Sequence, residues 1–459
     1  MVADEETAAA ASSSDVPSTM ATLQEGGAKE QVVCTDPPRK KSRHEKPAPL
    51  TNEALRTRTM FVPARKQTLL RLPSGIIKQV TLDPGKMISI GKFGTFKADE
   101  IIGRPFGLTY EIQSDGTLQI MQQAVAEALV ESEATNENIF DDGESQTLSY
   151  EDIQALKQGG ATGREIIQKQ LEGNKSYELR TAYSQEKIMK RKESKHLHFF
   201  TPLPPDTFHV AAYHFERSPD KVRGMRSDAL AQCLSFANVQ AGGKYLVVDG
   251  IGGLLTGAVL ERLGGAGSVH LIHDADSPPA LELMPLFNLT PSHTNGVLKT
   301  MHWAATEAAW TLRMFYLLTP ASHMSDELAK VYPTERERQR ARKKREGIED
   351  FIATRQQFFD GEFDAVLVAS PYEPYSVVNR LIPYLAGSSN VVVHSPHLQP
   401  LVEAQARMRA NPVFINVSVT EPWLRRYQVL PQRTHPDMMT SASAGYILHG
   451  IRILDTSTE

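Results

Sequence analysis

The sequence predicts an α/β fold: a doubly wound, Rossmann-like domain in the C-terminal half, preceded by a small N-terminal β domain and a helical connector. Three observations carry that expectation. First, Tyr245-Leu246-Val247-Val248 reads as a buried parallel strand, and an acid and a glycine-rich turn follow it, Asp249-Gly250-Ile251-Gly252-Gly253. Ala258-Val259-Leu260-Glu261-Arg262-Leu263 then starts a helix, and strand, glycine turn, helix is the nucleotide-binding corner of a doubly wound sheet. Second, later apolar runs at Ser268–Asp274, Phe363–Ser370 and Asn390–His394 alternate with helix-prone stretches. Third, Phe414–Val419 and Tyr446–Ile451 close the chain as a hairpin-like pair.

A length of 459 residues allows two or three domains, and a hydrophobic content of 41% suits a globular protein. The net charge of −4 gives no global nucleic-acid signature, so any RNA contact must rest on local basic patches. The two cysteines, Cys34 and Cys233, make neither a metal pattern nor a secreted disulfide framework. No apolar run reaches transmembrane length and no signal-peptide core opens the chain, so the expectation is cytosol or nucleus, with no membrane association.

In chain order, residues 1–55 are rich in Ala, Ser, Glu, Thr and Pro, a composition that cannot bury a core and reads as a disordered tail. Within it, Pro38-Arg39-Lys40-Lys41-Ser42-Arg43-His44-Glu45-Lys46 reads equally as a nuclear import signal and as a solvated charge run. Residues 56–135 read as a β-barrel-like domain, with short apolar runs such as Ile76–Leu82 between turns at Leu72-Pro73-Ser74-Gly75, Asp83-Pro84-Gly85 and Ser114-Asp115-Gly116. Such a domain grips substrate or serves as an assembly platform.

Residues 136–195 form the polar helical connector. Ser149-Tyr150-Glu151-Asp152 and Thr162-Gly163-Arg164-Glu165 resemble capping boxes. Lys187, Lys190, Arg191 and Lys192 follow on a basic helix that is either an exposed solvated face or a phosphate-contacting one. Residues 196–459 make the large domain, interrupted by a basic insertion over 325–348. Its dense end holds Arg340, Arg342, Lys343, Lys344 and Arg345, which favour RNA contact on an otherwise slightly acidic protein. His270, His273, Asp274 and Asp276 lack a second ligand cluster, so no metal site is expected.

The corner resembles that of class I methyltransferases, in which an acid is followed by glycines at alternate positions so that the backbone approaches S-adenosylmethionine. Counting from Asp249, those positions are Ile251, Gly253 and Leu255, and two of the side chains crowd the cofactor. Base-methylating enzymes of this fold also carry an acid or Asn before a Pro at the end of the fourth strand. Here Val368-Ala369-Ser370-Pro371-Tyr372 keeps the Pro and lacks the acid, and a serine without a partner is a poor general base. Two independent losses argue for a degenerate methyltransferase domain without catalytic residues or cofactor. The alternative is a self-sufficient S-adenosylmethionine-dependent RNA methyltransferase using Asp249, Asp274 and Ser370.

Glu421-Pro422-Trp423-Leu424-Arg425-Arg426-Tyr427-Gln428-Val429-Leu430-Pro431-Gln432-Arg433-Thr434-His435-Pro436 is very similar to the C-terminal signature of the non-catalytic subunit of eukaryotic tRNA (adenine-58-N1)-methyltransferase. The resemblance extends to Gly445–Gly450, Met225–Gln232, Asp141–Gln146 and the Gln185-Glu186-Lys187 helix, covering about residues 56 to 454. It implies a catalytic partner that carries S-adenosylmethionine, a heterodimer assembling into a heterotetramer, a tRNA substrate and a nuclear location. It also implies tRNA contacts at Asn138, Asp142 and Ser145, along the connector through Lys190 and Arg191, and on the helix at Arg342 to Arg345. Where it implies a basic residue after the serine of the fourth strand, this chain has Pro371. Trp423, Arg425, Arg426 and Tyr427 are the expected contacts with the partner, against the plainer reading of core or sheet-edge packing.

Overall fold

A computed structural model of the chain describes residues 57–113, 115–121, 148–159, 163–174, 176–177, 180–275, 279, 281–310, 334–429, 434–441 and 443–454, all within one unit, Pro47–Glu459. β1 (Gln67–Arg71) and β2 (Ile77–Thr81) are joined by the expected turn. Gly75 N donates to Leu72 O at 2.9 Å, and Gly75 takes φ +83°, the left-handed region that glycine enters without strain. β3 (Met87–Ser89) pairs with β4 (Thr95–Lys97), and β5 (Tyr110–Ile112) with β6 (Leu118–Ile120).

The connector holds α1 (Tyr150–Gln158), α2 (Gly163–Glu172) and α3 (Ala182–His196). At α1 the capping box forms: Ser149 N donates to Asp152 Oδ2 at 2.9 Å and Asp152 N to Ser149 Oγ at 3.2 Å. Thr162 of the second box lies outside the described residues. β7 (Phe199–Leu203) then inserts between β1 and β5, giving the sheet order β2-β1-β7-β5-β6. The expected boundary at residues 195–196 therefore separates this strand from the sheet that it completes. Its insertion follows from burial: Phe200 packs in the N-terminal core with Tyr110 and Phe96, while Leu203 and Leu69 face the core of the large domain.

The large domain runs through α4 (Thr207–Arg217), α5 (Ser227–Phe236), β8 (Lys244–Asp249), α6 (Leu254–Leu263), β9 (Ser268–His273), the single turn α7 (Pro291–Thr294) and β10 (Leu298–His302). It continues with α8 (Glu335–Phe359), β11 (Phe363–Ala369), α9 (Pro374–Leu381), β12 (Leu385–Ser395), α10 (Leu398–Ala410) and β13 (Phe414–Thr420). A ribbon of β14 (Tyr427–Gln428) and β15 (His435–Pro436) precedes β16 (Tyr446–Arg452).

The seven-stranded sheet has the order β10-β9-β8-β11-β12-β16-β13. β8 to β12 run parallel, and β16 is antiparallel between β12 and β13. The order reverses between β8 and β11, and the last strand inserts beside the fifth, which is the class I methyltransferase arrangement. Both faces are covered, so the middle of β8 is apolar: Tyr245 and Val247 enter one core with α4, α5 and α6, while Leu246 and Val248 enter the other with α8, α9 and α10.

Candidate functional site

The glycine corner is built around Asp249 at the end of β8. Its Oδ1 accepts hydrogen bonds from Ile251 N at 2.9 Å and Gly253 N at 3.2 Å. Its Oδ2 accepts from Thr256 N at 2.8 Å and Thr256 Oγ1 at 2.7 Å. The carboxylate thus caps α6, satisfying N–H groups that the helix itself leaves unpaired and sitting at the positive end of the helix dipole. The close approach that glycine permits is taken by the chain's own residues. A Cβ on Gly253 would lie 3.0 Å from Leu281 Cβ, and one on Gly252 would lie 3.1 Å from Leu283 Cγ. Leu283 N also donates to Gly252 O at 2.9 Å, which fastens the segment over the turn. On the other side, a Cβ on Gly250 would lie 3.0 Å from Pro371 Cδ and Ser370 Cα. Ile251 and Leu255 are buried in the core beneath, so the side chains that crowd the turn are Leu281 and Leu283 and not, as expected from the sequence, these two.

Around the corner the titratable groups are spoken for. Ser370 Oγ is buried and has no hydrogen-bond partner among the described residues, so nothing there activates it. Asp274 faces the Tyr372 hydroxyl, whose hydrogen bond holds the carboxyl below its usual range. Burial, then Asp274, pushes Tyr372 up to about 12. His270 points into the core at 0% exposure, and burial, followed by Lys299 and Lys244, pushes it down to about 3. It is a neutral core histidine edge-on to Phe363. No cluster of metal-ligating side chains occurs among the described residues, and Asp276 lies outside them.

Two helices, α8 and α3, carry the expected basic residues. α8 starts with a capping box, Thr334 N donating to Glu337 Oε2 at 3.1 Å and Glu337 N to Thr334 Oγ1 at 3.3 Å. Its last turns pack through Thr354 and Phe358, while Arg340, Arg342, Lys343 and Lys344 stand exposed and make no ion pair among the described residues. Arg345 is paired with Glu349 at 2.7 Å. The basic run expected as an insertion over 325–348 is, from residue 335, one continuous helix that crosses over to β11. On α3, Lys187, Lys190 and Arg191 are exposed, with Lys190 paired to Glu186 at 2.5 Å. Lys192 differs: it is half-buried and donates to Gln170 Oε1 at 2.7 Å, so it ties α3 to α2. Asn138, Asp142 and Ser145 lie outside the described residues.

The described residues of the C-terminal signature, 421–429 and 434–436, include the two strands of the β14–β15 ribbon. Trp423 is 70% exposed, Tyr427 53% and Val429 74%, so these side chains are not buried in this chain's core, while Tyr427 lies on the edge strand β14. Arg425 is turned back to Asp437 O and Thr440 Oγ1, each at 3.3 Å, and holds the ribbon's shape. Arg426 is exposed beside it.

Residues 61–344 match the model of the Gcd10p family. The chain belongs to the Gcd10p family. Among relatives of this Gcd10p-family chain is the tRNA (adenine(58)-N(1))-methyltransferase non-catalytic subunit TRM6 of Debaryomyces hansenii, 30% identical over 86% of this chain and 87% of the relative. The mouse protein of the same name is 29% identical over 83% of this chain and 86% of its own length. A solved structure, the tRNA (m1A58) methyltransferase TrmI from Aquifex aeolicus, aligns at 14% identity with a TM-score of 0.43 over 86% of this chain and 100% of that one.

Sequence reasoning missed several residues that shape the Gcd10p-family site. Leu281 and Leu283 fall in an irregular stretch with no periodicity to mark them. Arg355 carries no motif, yet it donates to the carbonyls of Ala305 at 3.0 Å, Glu307 at 2.8 Å, Ala308 at 3.3 Å and Trp310 at 3.3 Å. It thereby hangs the turn after β10 from α8. Trp303 and Tyr372, which meet edge to face with ring centroids 6.2 Å apart, had a signal only in being aromatic at the ends of strands.

Proposed function

We propose that this chain is the non-catalytic, substrate-binding subunit of a tRNA (adenine(58)-N(1))-methyltransferase, and that it scaffolds a catalytic partner holding S-adenosylmethionine. The observation that carries this reading is the filled glycine corner. With Leu281 and Leu283 over Gly253 and Gly252, and Asp249 spent on capping α6, the corner does not fit the cofactor. Ser370 without a base supports the same reading, as do the names of the relatives. The self-sufficient enzyme is not favoured, because two of the residues it needs, Asp249 and Ser370, have no free chemistry to offer.

The chain's contribution is grip. The exposed cations of α8 and α3 suit phosphates, and neutralising them releases counterions. A target adenine buried in folded tRNA must be turned out before a partner's cofactor reaches it, and a second subunit that holds the RNA body makes that possible. The apolar ribbon at Trp423 and Tyr427, flanked by Arg426, suits burial against the catalytic subunit, since aromatic and Arg side chains dominate such contacts. A heterotetramer of two such pairs and a nuclear location, the latter supported by the basic run Arg39-Lys40-Lys41, complete the proposal.

The test is a methyl-transfer assay on tRNA with this chain alone, the catalytic partner alone, and both together. Activity only in the mixture is expected. Transfer by this chain alone overturns the reading.

A further inference from the structure

A groove of about 360 Å³ opens at the C-terminal ends of β10 and β11, lined by Trp303, Tyr372, Glu373, Ser376, Val377 and Arg380. That is at the small end of ligand-site volumes, and it lies where doubly wound sheets bind ligands. Its aromatic wall is fixed. The rings of Trp303 and Tyr372 stand at 87° to one another. The Tyr372 hydroxyl interacts with both the Trp303 side chain and the Asp274 carboxylate, so the polar atoms of both rings are engaged and their apolar surfaces remain. Arg380 at the rim is held by Glu307 at 2.5 Å and by Thr306 Oγ1 at 3.3 Å.

The groove is also mechanically joined to the basic helix. Arg355 of α8 gathers the carbonyls of residues 305, 307, 308 and 310, in the turn that Trp303 opens. A ligand in the groove and a phosphate on α8 therefore lie on segments that these hydrogen bonds join. A free adenine nucleoside fits poorly: in doubly wound folds the ribose hydroxyls take an acid at the end of the second strand, here Asp274, which faces Tyr372, and the glycine corner beside it is filled by Leu281 and Leu283. A base that enters from solvent, with its sugar and phosphate left outside, has no such conflict.

We propose that this groove takes an unpaired nucleobase of the bound tRNA, stacked against Trp303, while the cations of α8 hold phosphates of the same RNA. The inference rests on the tRNA-binding reading above. Stacking recognises any base through its π face and adds affinity without adding counterion release, which separates it from the phosphate contacts.

The experiment uses the full chain in complex with its catalytic partner and measures tRNA affinity by fluorescence anisotropy across a salt series. Trp303→Ala is expected to weaken binding about tenfold with the salt slope unchanged. Trp303→Phe restores most of the loss, because a smaller ring still stacks. Ser376→Leu fills the groove from an exposed position without removing any core packing, and weakens binding as Trp303→Ala does. Arg342→Glu with Lys343→Glu weakens binding and flattens the slope. If the charge-reversal variant weakens binding while Trp303→Ala and Ser376→Leu bind as the parent does, the groove proposal is wrong and the tRNA reading stands. If the parent complex shows no salt-dependent tRNA binding, both fall.

Discussion

Asp249 sits where a cofactor-binding acid would, yet every contact it makes is to the first turn of α6 or the loop before it. A helix-capping role and a cofactor role predict different losses. Asp249→Ala leaves the N–H groups of Ile251, Gly253 and Thr256 without their acceptor, and is expected to lower stability by about 2 kcal/mol in urea titration. The reconstituted complex should keep its KM for S-adenosylmethionine within about twofold, a ratio worth about 0.4 kcal/mol. A raised KM with unchanged stability would restore the cofactor reading. Buried histidines give a second prediction at this scale. Burial pushes His270 down to about 3 and His394 down to about 4, against 6.5 for an ordinary histidine. The unfolded chain takes up protons below about pH 6.5 that the folded chain refuses, so stability is full above that pH and falls as the pH drops toward 4. At pH 5 each histidine costs about 2 kcal/mol. The urea midpoint should therefore fall between pH 7 and pH 5, and His270→Leu should flatten that fall by about one histidine's share.

Among the elements, α8 combines two jobs that its sequence shows unequally. The basic run announces itself by composition. The anchoring half does not, because Thr354, Arg355 and Phe358 have meaning only once the turn after β10 is packed beneath them. Since the helix is continuous, its exposed half projects from a fixed base, and Arg342 and Lys343 hold a set direction toward any RNA. Arg342→Glu with Lys343→Glu should lower tRNA affinity and reduce the slope of log affinity against log salt by about one to two units. Unchanged affinity and slope would make this a solvated face. The connector helix gives the contrasting case. Lys187, Lys190 and Lys192 look alike in sequence, but the backbone turns Lys192 inward to Gln170, where burial and the neighbouring Lys195 lower its pKa. Charge count alone could not separate it from its exposed neighbours.

For the molecule as a whole, six of the seven strands of the large sheet were legible as short apolar runs; β10 was not, because Leu298-Lys299-Thr300-Met301-His302 mixes polar residues in and buries only Met301. The turn at Gly75 and the cap at Ser149 were legible because local chemistry dictates them. What the sequence hid is long-range. β7 reads as the start of the large domain until Phe200 and Leu203 find cores on opposite faces of it. The filling of the glycine corner by Leu281 and Leu283 depends on a loop that has no pattern of its own.

The same holds for the joint between the N-terminal sheet and the large domain. Arg58, with its side chain 7% exposed, pairs with Glu261 of α6 and donates to Pro205 O at 2.8 Å and Phe287 O at 2.6 Å. Glu261 also accepts from Thr207 N at 2.7 Å, and Asn288 Nδ2 donates to Gln67 O at 2.9 Å. Removing one partner of such a buried pair leaves the other charge uncompensated, at about 3 to 5 kcal/mol. Arg58→Met should therefore uncouple the two parts, so that calorimetry of the full chain shows the N-terminal sheet melting ahead of the large domain. Changing both residues, Arg58→Met with Glu261→Leu, removes the stranded charge and should recover much of the loss. If Arg58→Met melts in one transition at the parent temperature, the two parts are joined by their shared apolar core at Leu69 and Leu203 rather than by this pair.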